Sequence, residues 1–246
     1  MEFSLIDKTL FVTIFDIFKQ FSDNIKLKLN SNTLHIQSVD DANVSIIDIK
    51  LSKTYFNTYK ITKEIIYDFS ITEICKILKI CAKSRLIQFY FNDTLLKIVA
   101  TENENDIKKV FEINSIITKD DFIKIENLRS INLYDINMNS KHLYSIFSEL
   151  FIFSDDVCIN YELDKLDFYT NNDNINTKYT ITTRDTSNTN DIILSKYSLN
   201  YLSKYKLISH FEETSMKIES NSPIILHNKN ENISCNFILS PKILDI

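Results

Sequence analysis

The sequence predicts an α+β fold made of two similar halves. Most of the chain alternates apolar and polar residues with the period of a β-strand, and four short segments repeat apolar residues with the period of an α-helix. The order of these helices and strands recurs after about 130 residues. Alternating strands need a cover on one face, and two short amphipathic helices in each half can provide that cover.

Two helices are predicted in the first half. Apolar residues recur at helical spacing over residues 7–21. A second helix is expected to begin at Ser70, because Ser70-Ile71-Thr72-Glu73 has the pattern of a capping box, in which both side chains satisfy free backbone N–H groups. Its polar face carries Lys76, Lys79 and Lys83, spaced three and four residues apart, so we expect all three to project from one side.

Strands are predicted between and after these helices. Period-two alternation covers residues 26–53, and further alternating runs cover 86–91, 95–100 and 110–117.

The second half repeats this order. A helix is predicted with Ser140 as its cap, followed by alternating segments at 157–159, 165–169 and 177–183 and by a fourth helix over about 198–207. These patterns predict an N-terminal domain at 1–117, a polar, acidic connector at 118–131 and a C-terminal domain at 132–246, with about eight or nine strands in each half.

Glycine is absent from the chain, although proteins usually contain about 7% of it. Turns that need a positive φ must therefore use Asn or Asp, which collect at 30–32, 171–176, 186–191 and 228–232. The lack of glycine also argues against a phosphate-binding loop of the Walker or dinucleotide type, because both need close backbone approach. Nucleotide hydrolysis is not expected in this chain.

Other features exclude further classes of protein. No apolar run reaches the roughly 18 to 20 residues of a membrane span, and the N-terminus lacks the pattern of a signal peptide, so an intracellular protein without a membrane partner is expected. The four cysteines and four histidines do not have the spacing of a zinc site. We therefore expect reduced, mostly buried thiols, no metal and no cofactor.

Paired acids do not define a catalytic site either. Asp40-Asp41, Asp120-Asp121 and Asp155-Asp156 are neighbours in sequence, and neighbours on a strand or turn point apart. Solvated turns are the expected role of these pairs, and the chain is not predicted to be an enzyme.

Several segments taken together resemble the eukaryotic and archaeal sliding clamp family, proliferating cell nuclear antigen. They are the order LHIQSVDDANVS from Leu34, the FNTY that follows a short strand, the SITEICKILK helix and the closing FILSPKI at 237–243. The likeness is densest over about the first 100 and the last 25 residues. Abundant Asn, Lys, Ile and Tyr are typical of an AT-rich coding sequence, which favours a divergent viral or AT-rich-genome member.

The resemblance implies an assembly and a function. Each subunit would hold two DNA-clamp domains, and three identical subunits would close a homotrimeric ring with helices lining the hole and sheets at the rim. Such a ring encircles double-stranded DNA without reading its sequence and tethers DNA polymerase and other replication and repair proteins that carry a clamp-binding motif. An ATP-dependent clamp loader would open it. The expected location is the nucleus, or a cytoplasmic replication factory if the source is viral.

Contact with the phosphate backbone requires basic residues on the facing surface. Lys19, Lys76 and Lys79 match positions where the family places DNA-facing lysines, although a lysine stripe by itself is more typical of a solvated helix face. Basic positions of the family are replaced in the second half by Ser145, Ser148, Ile152 and Asn200. The predicted DNA-binding residues are Lys19, Lys76, Lys79, Lys83, Lys141, Lys204 and Lys206.

The resemblance also implies a partner-peptide groove and a subunit interface. The groove residues would be Val39, Asn43, Ile46, Ile123, Ile125, Pro223, Ile238, Leu239 and Ser240. Without the resemblance, Val39, Ile46 and Ile238 are typical core residues. The interface would pair edge strands at 108–116 and 177–183 through Lys109, Phe111, Ile113, Lys178, Tyr179 and Ile181.

Three alternative functions remain open at this point. The chain could be a subunit of a heterotrimeric checkpoint-type clamp or a viral polymerase or late-transcription accessory protein. It could be a DNA-processing enzyme, or a monomeric interaction module without a DNA role. The net charge of −5 does not separate these hypotheses, because the sign of the lining decides how a ring meets DNA.

Overall fold

The computed structural model describes residues 1–92, 94–102, 107–116, 122–125, 134–162, 165–172, 175–183 and 193–243. The chain forms two compact units. The first unit contains Met1–Asn43, Ile47–Ile123 and Asn230–Cys235, and the second contains Val44–Ile46, Lys124–Lys229 and Asn236–Ile246.

Nine strands and two helices form before residue 117 in the described part of the chain. The strands are β1 (Glu2–Leu5), β2 (Asn24–Leu29), β3 (Thr33–Val39), β4 (Ser45–Ser52), β5 (Thr58–Lys60), β6 (Ile65–Ser70), β7 (Leu86–Asn92), β8 (Leu95–Thr101) and β9 (Lys108–Asn114). The helices are α1 (Thr9–Phe18) and α2 (Ile71–Cys81), and a short 3-10 helix covers Lys53–Tyr55.

The described residues after 133 form eight strands and two helices. The strands are β10 (Tyr134–Asn139), β11 (Asp156–Glu162), β12 (Lys165–Asn171), β13 (Asn176–Thr182), β14 (Ile193–Ser198), β15 (Glu213–Ile218), β16 (Ile224–Lys229) and β17 (Ile233–Leu239). The helices are α3 (Ser140–Leu150) and α4 (Leu199–Leu202), followed by a 3-10 helix at Lys206–His210.

The first unit holds two antiparallel groups of strands. One is a five-stranded sheet in the order β5-β1-β7-β8-β9, and the other contains neighbouring strands in the order β4-β3-β2-β6. Helices α1 and α2 pack against each other. The alternating pattern of β2 matches its burial, because Ile25, Leu27 and Leu29 are buried and the lysines between them are half-buried.

Aromatic side chains fill much of the first core. Phe3 stacks on Phe89 with ring centroids 4.6 Å apart, and Phe11 meets Phe15 at 4.8 Å. Each ring removes a large apolar area from water, and offset or tilted pairs at this distance add to that stabilisation.

The second unit also holds two antiparallel groups of strands. They have the orders β13-β12-β11-β14 and β10-β15-β16-β17. The ring of Phe147 on α3 meets Phe168 edge-on at 5.9 Å, and Tyr205 stacks on Phe237 at 4.6 Å. The predicted cover of each sheet by short helices is thus present in both units. Among the helices in the described ranges, none is long and apolar enough to cross a membrane.

The predicted start of the second helix was correct, but its capping box was wrong. Ser70 occupies the N-cap position with an extended backbone, yet its side chain makes no capping hydrogen bond. The Glu73 carboxylate instead forms a salt bridge with Lys76 at 2.8 Å. A side chain that is drawn to a neighbouring cation is no longer placed to reach back to the cap.

The predictions for the other three helices also need correction. Asn139, not Ser140, caps α3: its side chain accepts from the His142 N–H at 3.1 Å, while the Ser140 hydroxyl is buried against Thr214. The fourth helix is shorter than predicted, because α4 ends at Leu202. The first helix likewise covers Thr9–Phe18 rather than 7–21.

Asparagine supplies the positive-φ positions of this glycine-free chain. Asn43 has φ 57° and Asn221 has φ 55°, and these are the positive-φ residues among those described. The predicted residue type is therefore correct, but neither position lies in the loops that the composition singled out; the loop at 186–191 lies outside the described residues. Asparagine tolerates this region because its short polar side chain bonds locally.

Candidate nucleic-acid and partner interfaces

A lysine-rich helical surface lies on the first unit. Lys76 and Lys79 project from α2, Lys83 follows its last turn, and Lys19 is the C-cap residue of α1; all four side chains are exposed. The opposite side of α2 is buried through Ile74, Ile77 and Leu78. The predicted exposure of Lys76, Lys79 and Lys83 agrees with the structure, although Lys83 lies beyond the end of the helix.

Two acids partly balance this lysine surface. Lys76 pairs with Glu73 at 2.8 Å, and Lys79 Nζ lies 3.7 Å from Asp16 of α1. Four lysines against these two acids leave a local excess of two positive charges. Exposed pairs of this kind contribute little stability, about 0 to 1 kcal/mol, so the lysines can exchange these partners for phosphate oxygens at low cost.

The corresponding helix of the second unit has a different chemistry. Lys141, Ser145 and Glu149 follow one another at helical spacing on the exposed side of α3, so one lysine is offset by one glutamate. The Ser145 hydroxyl donates to Glu149 at 2.5 Å, and the Tyr179 hydroxyl of β13 donates to the other carboxylate oxygen. Both hydrogen bonds lower the pKa of Glu149, and the bond from Ser145 has the larger effect.

Glu149 was not among the residues predicted from the sequence. Its i+4 spacing from Ser145 is visible in the sequence, but the link to Tyr179 joins two elements and is not. Nearby, Ile152 is 76% exposed and Asn200 donates to Asp155 at 3.1 Å.

Lys204 and Lys206 were predicted on or near the fourth helix, and they lie beyond it. Lys204 follows the end of α4, and Lys206 begins the 3-10 helix. Both side chains are exposed, as is that of Lys141. These three residues therefore remain available to an anion, but they do not form a stripe like that of α2.

The strands predicted to pair between subunits lie at sheet edges. β9 is the last strand of β5-β1-β7-β8-β9, and β13 is the first of β13-β12-β11-β14. Phe111, Ile113, Tyr179 and Ile181 are half-buried, whereas Val110 is 52% exposed. Lys109 pairs with Glu102, and Lys178 pairs with Asp167 at 2.8 Å. An edge strand of this kind offers backbone groups to another chain.

The part of the predicted groove that lies in the first unit surrounds a cavity. Val39, Asn43 and Ile123 line it, and its volume is about 470 Å³. The wall is more polar than the sequence predicted, because Lys26, Gln37 and Asp68 also line the cavity. Lys26 and Asp68 form a salt bridge at 3.3 Å.

The groove residues of the second unit are mostly buried. Ile125 and Ile238 pack with Ile225, and Ile46 lies against this cluster. Leu239 is 1% exposed, whereas Pro223 and Ser240 are half-buried. The contacts of Ile46 and Ile238 therefore agree with their interpretation as core residues. Ile225 belongs to the same cluster and was not predicted from the sequence.

The remaining candidate groups hold the fold together. Asp40 is buried rather than solvated and accepts from the Ala42 N–H, and Asp156 pairs with Lys196 at 3.3 Å. Asp120-Asp121 lies outside the described residues. Within the described ranges no cluster of His, Cys, Asp or Glu could hold a metal ion.

The thiols are mostly buried, as predicted. All four cysteines are free, and Cys158 is the half-buried one. Burial raises the pKa of the Cys75 thiol to about 11, so it is almost wholly protonated at neutral pH.

Comparison with solved structures defines the class of fold. The chain superposes on a chain of the PCNA2-PCNA3 complex from Sulfolobus tokodaii with a TM-score of 0.80 and 20% identity, covering 98% of this chain and 99% of the other. It superposes on the proliferating cellular nuclear antigen of Entamoeba histolytica with a TM-score of 0.81 and 16% identity, covering 98% of each chain. The fold is therefore that of the sliding clamps, an α+β architecture with antiparallel sheets and few helices.

Sequence comparison identifies the family. Residues 1–140 match the model of the proliferating cell nuclear antigen N-terminal domain. The chain is 22% identical over 221 residues to proliferating cell nuclear antigen 1 of Plasmodium falciparum, covering 88% of this chain and 81% of that relative. It is 30% identical over 105 residues to DNA polymerase sliding clamp 3 of Sulfurisphaera tokodaii, covering 43% and 39%. The chain belongs to the proliferating cell nuclear antigen family of DNA sliding clamps.

Proposed function

We propose that this chain is the subunit of a homotrimeric ring that encircles duplex DNA and tethers DNA polymerase and other replication and repair proteins to it. The observation that carries this proposal is the exposed lysine surface formed by Lys19, Lys76, Lys79 and Lys83 on a chain of the clamp family. Its action is topological: the ring raises processivity by preventing diffusion off the template, without catalysing a reaction.

The charge distribution suits sliding. Three copies of a chain with net charge −5 carry about −15, so the outside of a ring would repel DNA while the lysine surface attracts it. The lysines already have weak acidic partners in Glu73 and Asp16, and their phosphate contacts would carry no sequence information. Weak, exchangeable contacts allow movement along the duplex, whereas tight ones would stall it.

Partner binding would use the cavity beside the connector. Val39 and Ile123 supply apolar wall, and a cavity of about 470 Å³ is large enough for one or two peptide side chains. A short peptide from a polymerase would place hydrophobic anchors there, and an ATP-dependent loader would use the same kind of contact to open the ring.

The lysine surface is tested by replacing Lys76 and Lys79 together with Ala. We expect weaker DNA binding at about 50 mM salt and a shallower fall of affinity between about 50 and 200 mM, since each lost phosphate contact lowers the slope by about 0.9. The measurement is fluorescence anisotropy on a labelled duplex at several salt concentrations.

The matched control is the Lys60→Ala/Lys97→Ala variant. Lys60 is exposed and Lys97 is half-buried; both belong to the same unit and pair with a glutamate, but they lie on strands β5 and β8. The control should bind DNA with the parent's salt slope. Equal slopes for the parent and the Lys76/Lys79 variant would show that α2 does not face DNA.

A heteromeric ring is the second candidate. The PCNA2-PCNA3 complex is a solved assembly of two different clamp chains, and this chain superposes on one of them. The weakly basic surface of α3 favours this alternative, because different partner chains could supply the missing positive charge. The purified chain would then remain smaller than a trimer until a second clamp chain is added.

A further inference from the structure

One side chain holds both backbone polar groups of a connector residue. The Gln37 side-chain oxygen accepts from the Ile123 N–H at 2.7 Å, and its nitrogen donates to the Ile123 carbonyl at 2.9 Å. The two residues are 86 positions apart in sequence. Gln37 is 1% exposed, so water has little access to the amide group that makes this pair of bonds.

Asp48 determines which way the Gln37 amide faces. The second N–H of the Gln37 nitrogen donates to Asp48 Oδ1 at 2.9 Å, and His35 is hydrogen-bonded to the same carboxylate. An ionised carboxylate only accepts hydrogen bonds, so it must face the nitrogen of the amide and not the oxygen. The oxygen is thereby left for the Ile123 N–H.

The residue before Ile123 is held as well. The Phe122 ring packs on the His35 ring with centroids 4.5 Å apart. Two consecutive connector residues are thus attached to the first unit, one through its ring and one through its backbone. The Ile123 side chain remains 37% exposed and lines the cavity together with Val39 and Asn43.

We propose that Gln37, oriented by Asp48, is a positioning residue that fastens the connector at Ile123 and so forms one wall of the peptide-binding cavity. The proposal rests on the proposed function for the role of that cavity. Ordering the wall before a peptide arrives removes part of the entropy cost of binding, which raises affinity without a direct contact between Gln37 and the peptide.

The test replaces Gln37 with Met, which has a similar length but cannot make these hydrogen bonds. Hydrogen–deuterium exchange, resolved to the Ile123 amide by fragmentation mass spectrometry, should become about tenfold faster, as expected for the loss of a shielded hydrogen bond. Affinity for a fluorescein-labelled peptide that carries a clamp-binding motif should fall in the same variant by a similar factor.

Asn228→Leu is the matched control. Asn228 is also a buried side-chain amide, but it bonds Thr214 and the Glu213 carbonyl in the second unit. Its replacement should leave exchange at Ile123 and peptide affinity unchanged.

A rescue pair adds specificity. Gln37→Glu places two carboxylates together and should speed exchange at Ile123. Adding Asp48→Asn supplies a donor to the introduced carboxylate and should slow this exchange again.

The outcomes separate the two proposals. Unchanged exchange at Ile123 in the Gln37→Met variant overturns the fastening role. Faster exchange with unchanged peptide affinity overturns the positioning role. If the parent protein does not bind the peptide at all, the proposed partner cavity is wrong, while the exchange measurement still decides whether Gln37 holds the connector.

Discussion

At the residue scale, Glu149 shows how neighbours determine the chemistry of a surface. Two hydroxyl groups, those of Ser145 and Tyr179, donate to its carboxylate and stabilise the charged form. The lysine side chains of α2, by contrast, have weak acidic partners that leave their charges available. The two units therefore differ in the charge of corresponding helices although their folds repeat.

We predict that Tyr179→Phe raises the pKa of Glu149 toward its ordinary value of 4.5. The folded-state pKa lies below the unfolded one, so the stabilisation is complete above the unfolded pKa and is lost as the pH falls through the folded pKa. Titration of the Glu149 carboxyl carbon by NMR checks the shift. Tyr169→Phe, on the adjacent strand β12, serves as control and should leave the titration where it is.

At the element scale, helix ends depended on contacts that local sequence does not show. Ser70-Ile71-Thr72-Glu73 has every residue of a capping box, yet Glu73 bonds Lys76 and the Ser70 hydroxyl makes no capping bond. Asn139, the last residue of β10, caps α3, so the helix begins at Ser140 itself, the residue predicted as its cap.

The observed hydrogen bonding at these two helix ends predicts different losses of stability for two alanine variants. Asn139→Ala should lower the free energy of unfolding by about 0.5 to 2 kcal/mol, the usual cost of losing an N-cap side chain. Ser70→Ala should change it by less than about 0.5 kcal/mol, since no capping bond is lost. Urea unfolding of both variants at one protein concentration measures the difference. Equal losses would show that the Ser70 hydroxyl caps α2 in solution.

At the scale of the whole molecule, one chain offers two different sheet edges. β9 ends one sheet of the first unit, and β13 ends one sheet of the second. When two different edges of the same chain pair between copies, the contact runs head to tail and generates a ring if it closes. A ring also removes exposed edges that otherwise promote aggregation.

Light scattering tests this assembly directly. A homotrimer of the 28.9 kDa chain should have a mass of about 87 kDa. Val110→Asp places a charge on the exposed side of β9 and should shift the protein toward the monomer, because a buried unpaired charge is costly at an interface. Ile6→Asp alters an exposed aliphatic side chain outside the strands and should leave the mass unchanged. A parent protein that stays monomeric would contradict the homotrimer.

Much of the fold could be predicted from local patterns. Alternation in β2, β7 and β8 and helical spacing in α2 depend on residues a few positions apart, and these residues face the same environment in the folded chain. The same reasoning predicted that Lys76, Lys79 and Lys83 face solvent, and all three are exposed. It did not reveal that Gln37 is buried and bonded to Asp48 and Ile123, because strand alternation carries no information about partners on other segments.

The sequence by itself determined the class of fold, the repeat of its two halves, the family resemblance and the lysine stripe of α2, because each depends on short-range periodicity or on residue identity. The tertiary structure decided which acids neutralise those lysines, which residue caps α3, that the groove residues of the second unit are mostly buried, and that Gln37 holds the connector. The physical reason is that these features join residues distant in sequence, such as Gln37 and Ile123, and packing alone brings them within hydrogen-bonding distance.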